Sequence, residues 1–353
     1  MSYHVLRLRT LMNRPERVAL SESLMTLDEE DPPALLVLDE AQVKSILKSE
    51  AIEPYDLVGY WKVAARLPGT PLPAIESFFK KTPILLHGQE HRDVRRALTP
   101  CYRRIEVAMD SWLPDFIRAF FSTARARSGL QNIAAIPFVS AFLDALNRTL
   151  IAQDLKCQAD SLPVLPNKLF SLLQRSDALM DYDARLACLV HDLAARLSFQ
   201  QRDPEEAWAL VSIAVMGQEP LLAGLLYGLA HRADGGQWTA ESLMRMAAPV
   251  SMLVGRQVLA DVTVDGHPLR QGQTVYICPF LSHRSMDAQA PAGQATSSLS
   301  FGMGPHLCAG RTIALKIVQG FLDGLQQFPD LSMDCRGLRF SRDINLQVDK
   351  THD

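Results

Sequence analysis

The sequence predicts a mainly α-helical protein with small β-sheets (an α+β chain), folded as one domain over residues 1–353, and three observations carry that expectation. Apolar residues recur at helical spacing through most of residues 87–231, and the period changes to two after Pro249. A last run, Ile313, Ile317, Phe321 and Leu325, then repeats every four positions. Composition agrees: of 353 residues 48% are hydrophobic and 21% charged, with 36 Lys+Arg against 39 Asp+Glu for a net charge of −3. Those proportions exclude a disordered tail and a basic nucleic-acid coat. The cations lack interleaved aromatics, so no nucleic-acid partner is expected.

Taken in order, Pro32-Pro33 precedes a short apolar strand at 34–38, and Val43, Ile46 and Leu47 mark the helix that follows. Prolines and Gly69 break residues 54–83 into loops and short helices. A helix rich in arginine runs from His87 to about Ala126, and amphipathic helices fill 132–199 with a break near 162–166. A long helix then begins at Asp203, an N-cap residue, with Pro204 at the first position and Glu206 completing a capping box. Ending near His231, it spans roughly 40 Å, enough to cross the middle of the molecule. Pro220 inside it removes one backbone hydrogen bond and kinks it. Short strands at Val258–Val264 and Thr274–Cys278 surround a turn at Asp265-Gly266, so the β portions lie at about 34–38 and 256–280. The final helix covers Ala309 to Gln327.

Six cysteines with no CxxC pair point to a reducing cytoplasm rather than disulfide-stapled secretion. Arginines throughout the first 20 residues read as neither signal peptide nor anchor. The apolar stretch Ala207–Ala230 carries Gln218, Glu219 and Pro220 at its centre, which reads as a buried core helix with no membrane contact.

The most informative residues are Phe301-Gly302-Met303-Gly304-Pro305-His306-Leu307-Cys308-Ala309-Gly310. Gly302 and Gly304 let the loop fold tightly, and Gly310 leaves room for a flat, bulky group. Cys308 falls at the start of the last helix, where dipole and free amides favour an anionic sulfur; a lowered thiol pKa is the expectation. His306 is placed to hydrogen-bond an anionic edge.

This decapeptide resembles the haem-ligand loop of bacterial cytochromes P450, Phe-Gly-x-Gly-x-His-x-Cys-x-Gly, at every position. The resemblance implies the cytochrome P450-type fold, with haem b (iron protoporphyrin IX) between the long helix and the cysteine loop and Cys308 as axial thiolate. It also implies that Phe301 packs beside the sulfur and that His306 contacts a propionate. His91 and Arg95, four apart on one helical face, would face the propionates, joined by Arg256. The resemblance covers nearly the whole chain from Leu35 onward, with the family's first helix and strand expected to be missing.

Two departures stand out. The family's Glu-x-x-Arg pair is absent: three residues before Arg245 stands Ser242, the nearest acid is Glu241, and no arginine lies between Arg284 and Phe301. The acid–threonine pair that the family carries in its long helix reads Gly217-Gln218-Glu219-Pro220, so Gly217, Glu219 and Pro220 are the candidate catalytic positions. Proline cannot donate a hydrogen bond. The resemblance therefore implies a haem-thiolate monooxygenase acting on a small organic metabolite of bacterial secondary metabolism. Electrons would come from a ferredoxin and its reductase, steered by Arg92, Arg95, Arg96, Arg103, Arg104, Arg311 and Lys316. Peroxide-driven, nitrogen-group or redox-neutral chemistry is the alternative, and a non-catalytic partner protein the second. A pocket is expected from Tyr55–Phe79, Leu162–Asp181, Met216, Pro279 and Leu281.

Overall fold

Local sequence explains most of the helices. In this computed structural model, which describes residues 3–18, 24–27, 32–54, 70–128, 132–163, 176–232, 238–253, 255–289, 298–342 and 346–350, the chain opens with α1 (Tyr3–Asn13), β1 (Leu24–Thr26) and β2 (Leu35–Val37). A first helix and strand are thus present, contrary to expectation. The arginines of α1 hid its apolar face, on which Leu8, Leu11 and Met12 are buried. Next come α2 (Glu40–Lys48), capped by Asp39 accepting the Gln42 N–H at 3.0 Å, and β3 (Ile52–Pro54). Helices α3 (Pro73–Lys81) and α4 (Gly88–Ser128) follow, then β4 (Ile133–Ala134), α5 (Ala135–Leu155), α6 (Ser176–Phe199) and the central α7 (Glu206–Ala230). After α8 (Ala240–Ala247) lie β5 (Arg256–Val258), β6 (Val262–Val264), β7 (His267–Leu269) and β8 (Thr274–Ile277). The chain ends with α9 (Pro279–Gln289), α10 (Arg311–Gln327), β9 (Met333–Asp334), β10 (Leu338–Arg342) and β11 (Leu346–Lys350).

The main sheet has the order β1-β2-β8-β5-β3, with β2 and β8 parallel and the other pairs antiparallel. The Asp265-Gly266 turn closes the β6–β7 hairpin with positive φ at both residues, 47° and 80°. The β portion is wider than expected, because two- and three-residue strands are too short to show a period.

Helix α7 starts later than its capping box predicts. Asp203 does accept the Glu205 N–H at 2.9 Å, but Glu206 is drawn instead to Arg104 and Arg202, which also hold Asp154. An ion-pair network replaces the box. The helix runs unbroken through Pro220 and is apolar on nearly every side. Helices α5 and α7 are long and apolar enough to cross a membrane, and 56% and 78% of their most apolar windows are buried within the protein, where they form its core.

Aromatic rings from α4, α5 and α10 interlock beneath α7, with Phe121, Phe142 and Phe321 all buried. The close approach depends on Gly324, where a Cβ would lie 2.6 Å from the Phe121 ring. Gly324→Ala should therefore cost about 1–3 kcal/mol through overpacking, read as a lower midpoint in denaturant with unchanged slope.

Candidate cofactor and active site

The cysteine loop is built on its glycines. Gly302 and Gly304 have φ of 70° and 60°, and a Cβ at Gly302 would lie 2.8 Å from the His306 carbonyl oxygen. The Cys308 N–H donates to the Phe301 carbonyl at 2.7 Å, closing the loop before α10 begins at Arg311. Phe301 is buried in the main core. Arg95 donates to the carbonyls of Pro305 and Leu307, clamping the loop to α4.

Cys308 is solvent-accessible, yet it lies deep enough that burial pushes its thiol pKa up; the Gly310 N–H and Arg95 pull the other way. The sulfur therefore fronts an internal space. The expected lowering of its pKa is corrected: one amide and one guanidinium do not offset desolvation at this depth. A metal ion at the sulfur would remove the proton outright.

Facing the loop's edge is a cluster of cationic and imidazole groups. The rings of His91 and His306 lie 4.2 Å apart, with His87 stacked 6.3 Å from His306. Burial, then the positive charge of Arg95, lowers His91 to about 4; burial, then Arg256, takes His306 to about 3. Arg256 on β5 is 4% exposed, and burial alone lowers it to about 10. Its Nε has no hydrogen-bond partner among the described residues. A buried, uncompensated guanidinium beside two neutral imidazoles is a receptor for carboxylates. An inward thiol, a glycine-lined loop and this cluster together fit a flat, metal-bearing macrocycle with carboxylates on its edge.

No model of a known protein family matches the chain. Cytochrome P450 165C4 of Amycolatopsis orientalis is 23% identical over 286 residues, 69% of each chain. Among solved structures, P450BioI in complex with an acyl carrier protein superposes with a TM-score of 0.72 over 97% of both chains at 16% identity. Epothilone B-bound cytochrome P450epoK gives 0.69 over 97% of this chain and 96% of that one at 13% identity.

The fold is that of the cytochromes P450, and the curated relatives are members of that superfamily. Proteins of that superfamily are haem-thiolate oxidoreductases, whose iron porphyrin is held by a cysteine sulfur.

In this chain the missing Glu-x-x-Arg pair is replaced. Arg245 of α8 makes a two-pronged ion pair with Asp287 of α9, at 2.6 and 2.9 Å. Ser242 forms a capping box with Thr239, and Glu241 pairs with Arg311 at 2.7 Å, tying α8 to the start of α10. The basic residues near the loop are mostly paired as well: Arg92 with Glu50, Arg96 with Asp93, Lys316 with Asp110. Arg104 is exposed but paired with Asp154 and Glu206, and Arg103 is exposed.

On α7, Ile213, Met216 and Gly217 form a partly accessible stripe, and a Cβ at Gly217 would meet only Leu221, at 3.7 Å. Gln218, Glu219 and Pro220 are buried. Gln218 donates to Asp144 of α5, and Glu219 lies near enough to Tyr182 of α6 that its charge helps raise the tyrosine pKa. Gly217 and Pro220, three apart, share a helical side that Glu219 does not. The pocket expectation is partly corrected: Leu281 packs with Leu8, Leu36 and Met252 in a separate core cluster, and Phe78 and Phe79 are buried among core residues. Residues 55–69 and 164–175 of that expectation lie outside the described residues.

Sequence reading missed Tyr102, whose hydroxyl bonds Ser212 of α7 and whose pKa the nearby Cys308 helps to raise. Its signal was available: positions 91, 95, 98 and 102 lie on one helical face.

Histidines buried in neutral form make the fold acid-sensitive. His91 and His283 are each lowered to about 4 from an ordinary value of 6.5, so the unfolded chain binds more protons between those limits. Stability should be flat above pH 6.5 and fall as pH drops toward 4, measured by denaturant midpoints across that window.

Proposed function

We propose that the protein holds haem b through Cys308 and oxidises a small organic molecule of bacterial secondary metabolism, with electrons from a ferredoxin-type partner. The observation that carries this reading is Cys308 in its glycine loop near a buried guanidinium, whose Nε finds no hydrogen-bond partner among the described residues, and two imidazoles kept neutral by burial. When bound, the haem supplies the oxidising chemistry, and the thiolate donates electron density to the iron.

The chain's own residues perform the rest. Gly310 N–H steadies the sulfur's negative charge, and Arg95 fixes the loop through two carbonyls. His91, His306 and Arg256 would receive the propionates. Gly217 leaves its side of α7 open, and Glu219 lies buried beside Tyr182, where its carboxylate would be the nearby group able to take or give a proton. Pro220 offers no hydroxyl to pass a proton on. The test compares product formed from NAD(P)H with ferredoxin and reductase against product formed from peroxide; turnover in the peroxide arm alone overturns the oxygen-dependent version.

That second version, a peroxide-using or otherwise atypical haem enzyme, is favoured by one observation: Glu219 is buried toward α6 and the residue after it has no donor. Pro220→Thr separates the two. Under the oxygen-dependent reading it should raise the ratio of product to reductant consumed about tenfold, a gain typical of a positioned proton donor, while leaving peroxide turnover unchanged. The reading as a non-catalytic partner loses its support, because the Arg245–Asp287 pair keeps the region behind the loop tied. The carrier protein bound by P450BioI suggests that the substrate here is either free or carrier-tethered.

A further inference from the structure

The loop that carries Cys308 is anchored at two places. Arg95 holds its second half from α4. The other anchor lies where the chain enters the loop, at Leu299 and Ser300.

His283 is 4% exposed on α9, and both ring nitrogens are engaged. The Leu299 N–H donates to Nε2 at 2.7 Å, and Nδ1 lies 3.1 Å from the Arg245 carbonyl oxygen. Because Nε2 accepts a backbone N–H, the ring proton must sit on Nδ1, which donates to that carbonyl. Four residues on, Asp287 grips the Arg245 side chain, and the Arg245 Nη2 that donates to Asp287 also lies 3.5 Å from the His283 carbonyl oxygen. One face of α9 therefore holds Arg245 twice, by carbonyl and by guanidinium. Ser300 adds a bond from its hydroxyl to the Met244 carbonyl at 2.8 Å, beside the same turn. Gly302 N–H then folds back on the Leu299 carbonyl at 2.9 Å, so the position of Leu299 is passed to the first glycine of the loop.

We infer that His283 is the positioning residue for the entry of the Cys308 loop: with Asp287 it fixes the end of α8, and through Leu299 it sets the register in which the sulfur is presented. The inference rests on the reading of Cys308 as the haem ligand, and its test contains a measurement independent of haem.

Three replacements divide the two bonds of the imidazole. His283→Gln places an acceptor near the Nε2 position and keeps the bond to Leu299. His283→Asn places its amide near the Nδ1 position and keeps only the bond to Arg245. His283→Leu keeps neither. In the haem-loaded protein, the Gln variant should retain the red-shifted thiolate band of the ferrous–CO complex. The Asn and Leu variants should lose roughly half of it or more, the scale expected when one buried hydrogen bond is left unmade. Without regard to haem, amide hydrogen exchange at Leu299 should stay slow in wild type and His283→Gln and quicken about tenfold in His283→Asn. Equal behaviour of Gln and Asn in both measurements, or a Leu299 amide equally protected in all variants, overturns the inference. Should His283→Asn not fold, Asp287→Ala serves: it frees the Arg245 side chain and should quicken Leu299 exchange about threefold, an unchanged rate being the contrary result. If the protein takes up no haem, the exchange data decide this question while the functional reading fails alone.

Discussion

Cys308→Ala should abolish the red-shifted ferrous–CO band completely while leaving the far-ultraviolet circular dichroism of the helices within about a tenth of wild type. The reasoning is local. Cys308 lies between the turn at Gly304–His306 and the start of α10, and its backbone N–H, not its side chain, closes the loop onto Phe301. Alanine keeps that bond, so the scaffold survives and the ligand disappears. Five other cysteines exist, but Cys101 and Cys278 are buried with thiols pushed far up by desolvation, and neither belongs to the glycine loop. A variant that keeps the band would mean that another sulfur holds the iron.

Arg256→Met should act with opposite signs on the haem-free and haem-loaded protein. At neutral pH the guanidinium remains charged in the fold at a cost, because burial lowers it to about 10, well below the ordinary guanidinium value. At about 1.4 kcal/mol per tenfold change, that cost is on the order of 3 kcal/mol. It is fully present below pH 10 and fades as pH rises above that value. Removing the charge while keeping an apolar stem should raise the melting temperature of the haem-free chain. Under the proposed role the same charge would meet a carboxylate once haem is bound, and deleting one partner of a buried pair costs about 3–5 kcal/mol. Haem should then transfer to an acceptor globin about a hundredfold faster or more. A variant that melts lower in both states would mark Arg256 as a structural residue only.

What the sequence discloses follows the range of the forces involved. The turn at Asp265-Gly266, the helix carrying Ile313 to Leu325 and the glycine loop are written in adjacent residues, and each forms where the pattern places it. The capping box at Asp203 and Glu206 is equally local but yields to Arg104 and Arg202, because a carboxylate with two guanidinium partners gains more than one capping an amide. Asp287 answers for the missing acid beside Arg245 from 42 residues away, a pairing that no spacing rule shows. The same holds for His283, whose two partners lie on different segments. In α1 the arginines obscured the helix, and β1 and β3, at three residues each, carry no readable alternation. The proton question at Glu219 stayed open for a different reason: helical geometry sets its side of α7, but the neighbour it meets there, Tyr182, belongs to another helix.

The sheet order has a consequence for biosynthesis. Arg256 lies on β5, between β8 and a strand that ends at residue 54, while the imidazoles near it come from residues 91 and 306. These residues are all present only once synthesis has passed residue 306, and non-local pairings of this kind close slowly. Prosthetic-group capture should therefore come late in folding, and a cell starved of porphyrin during translation should still accumulate folded chain that can be charged later.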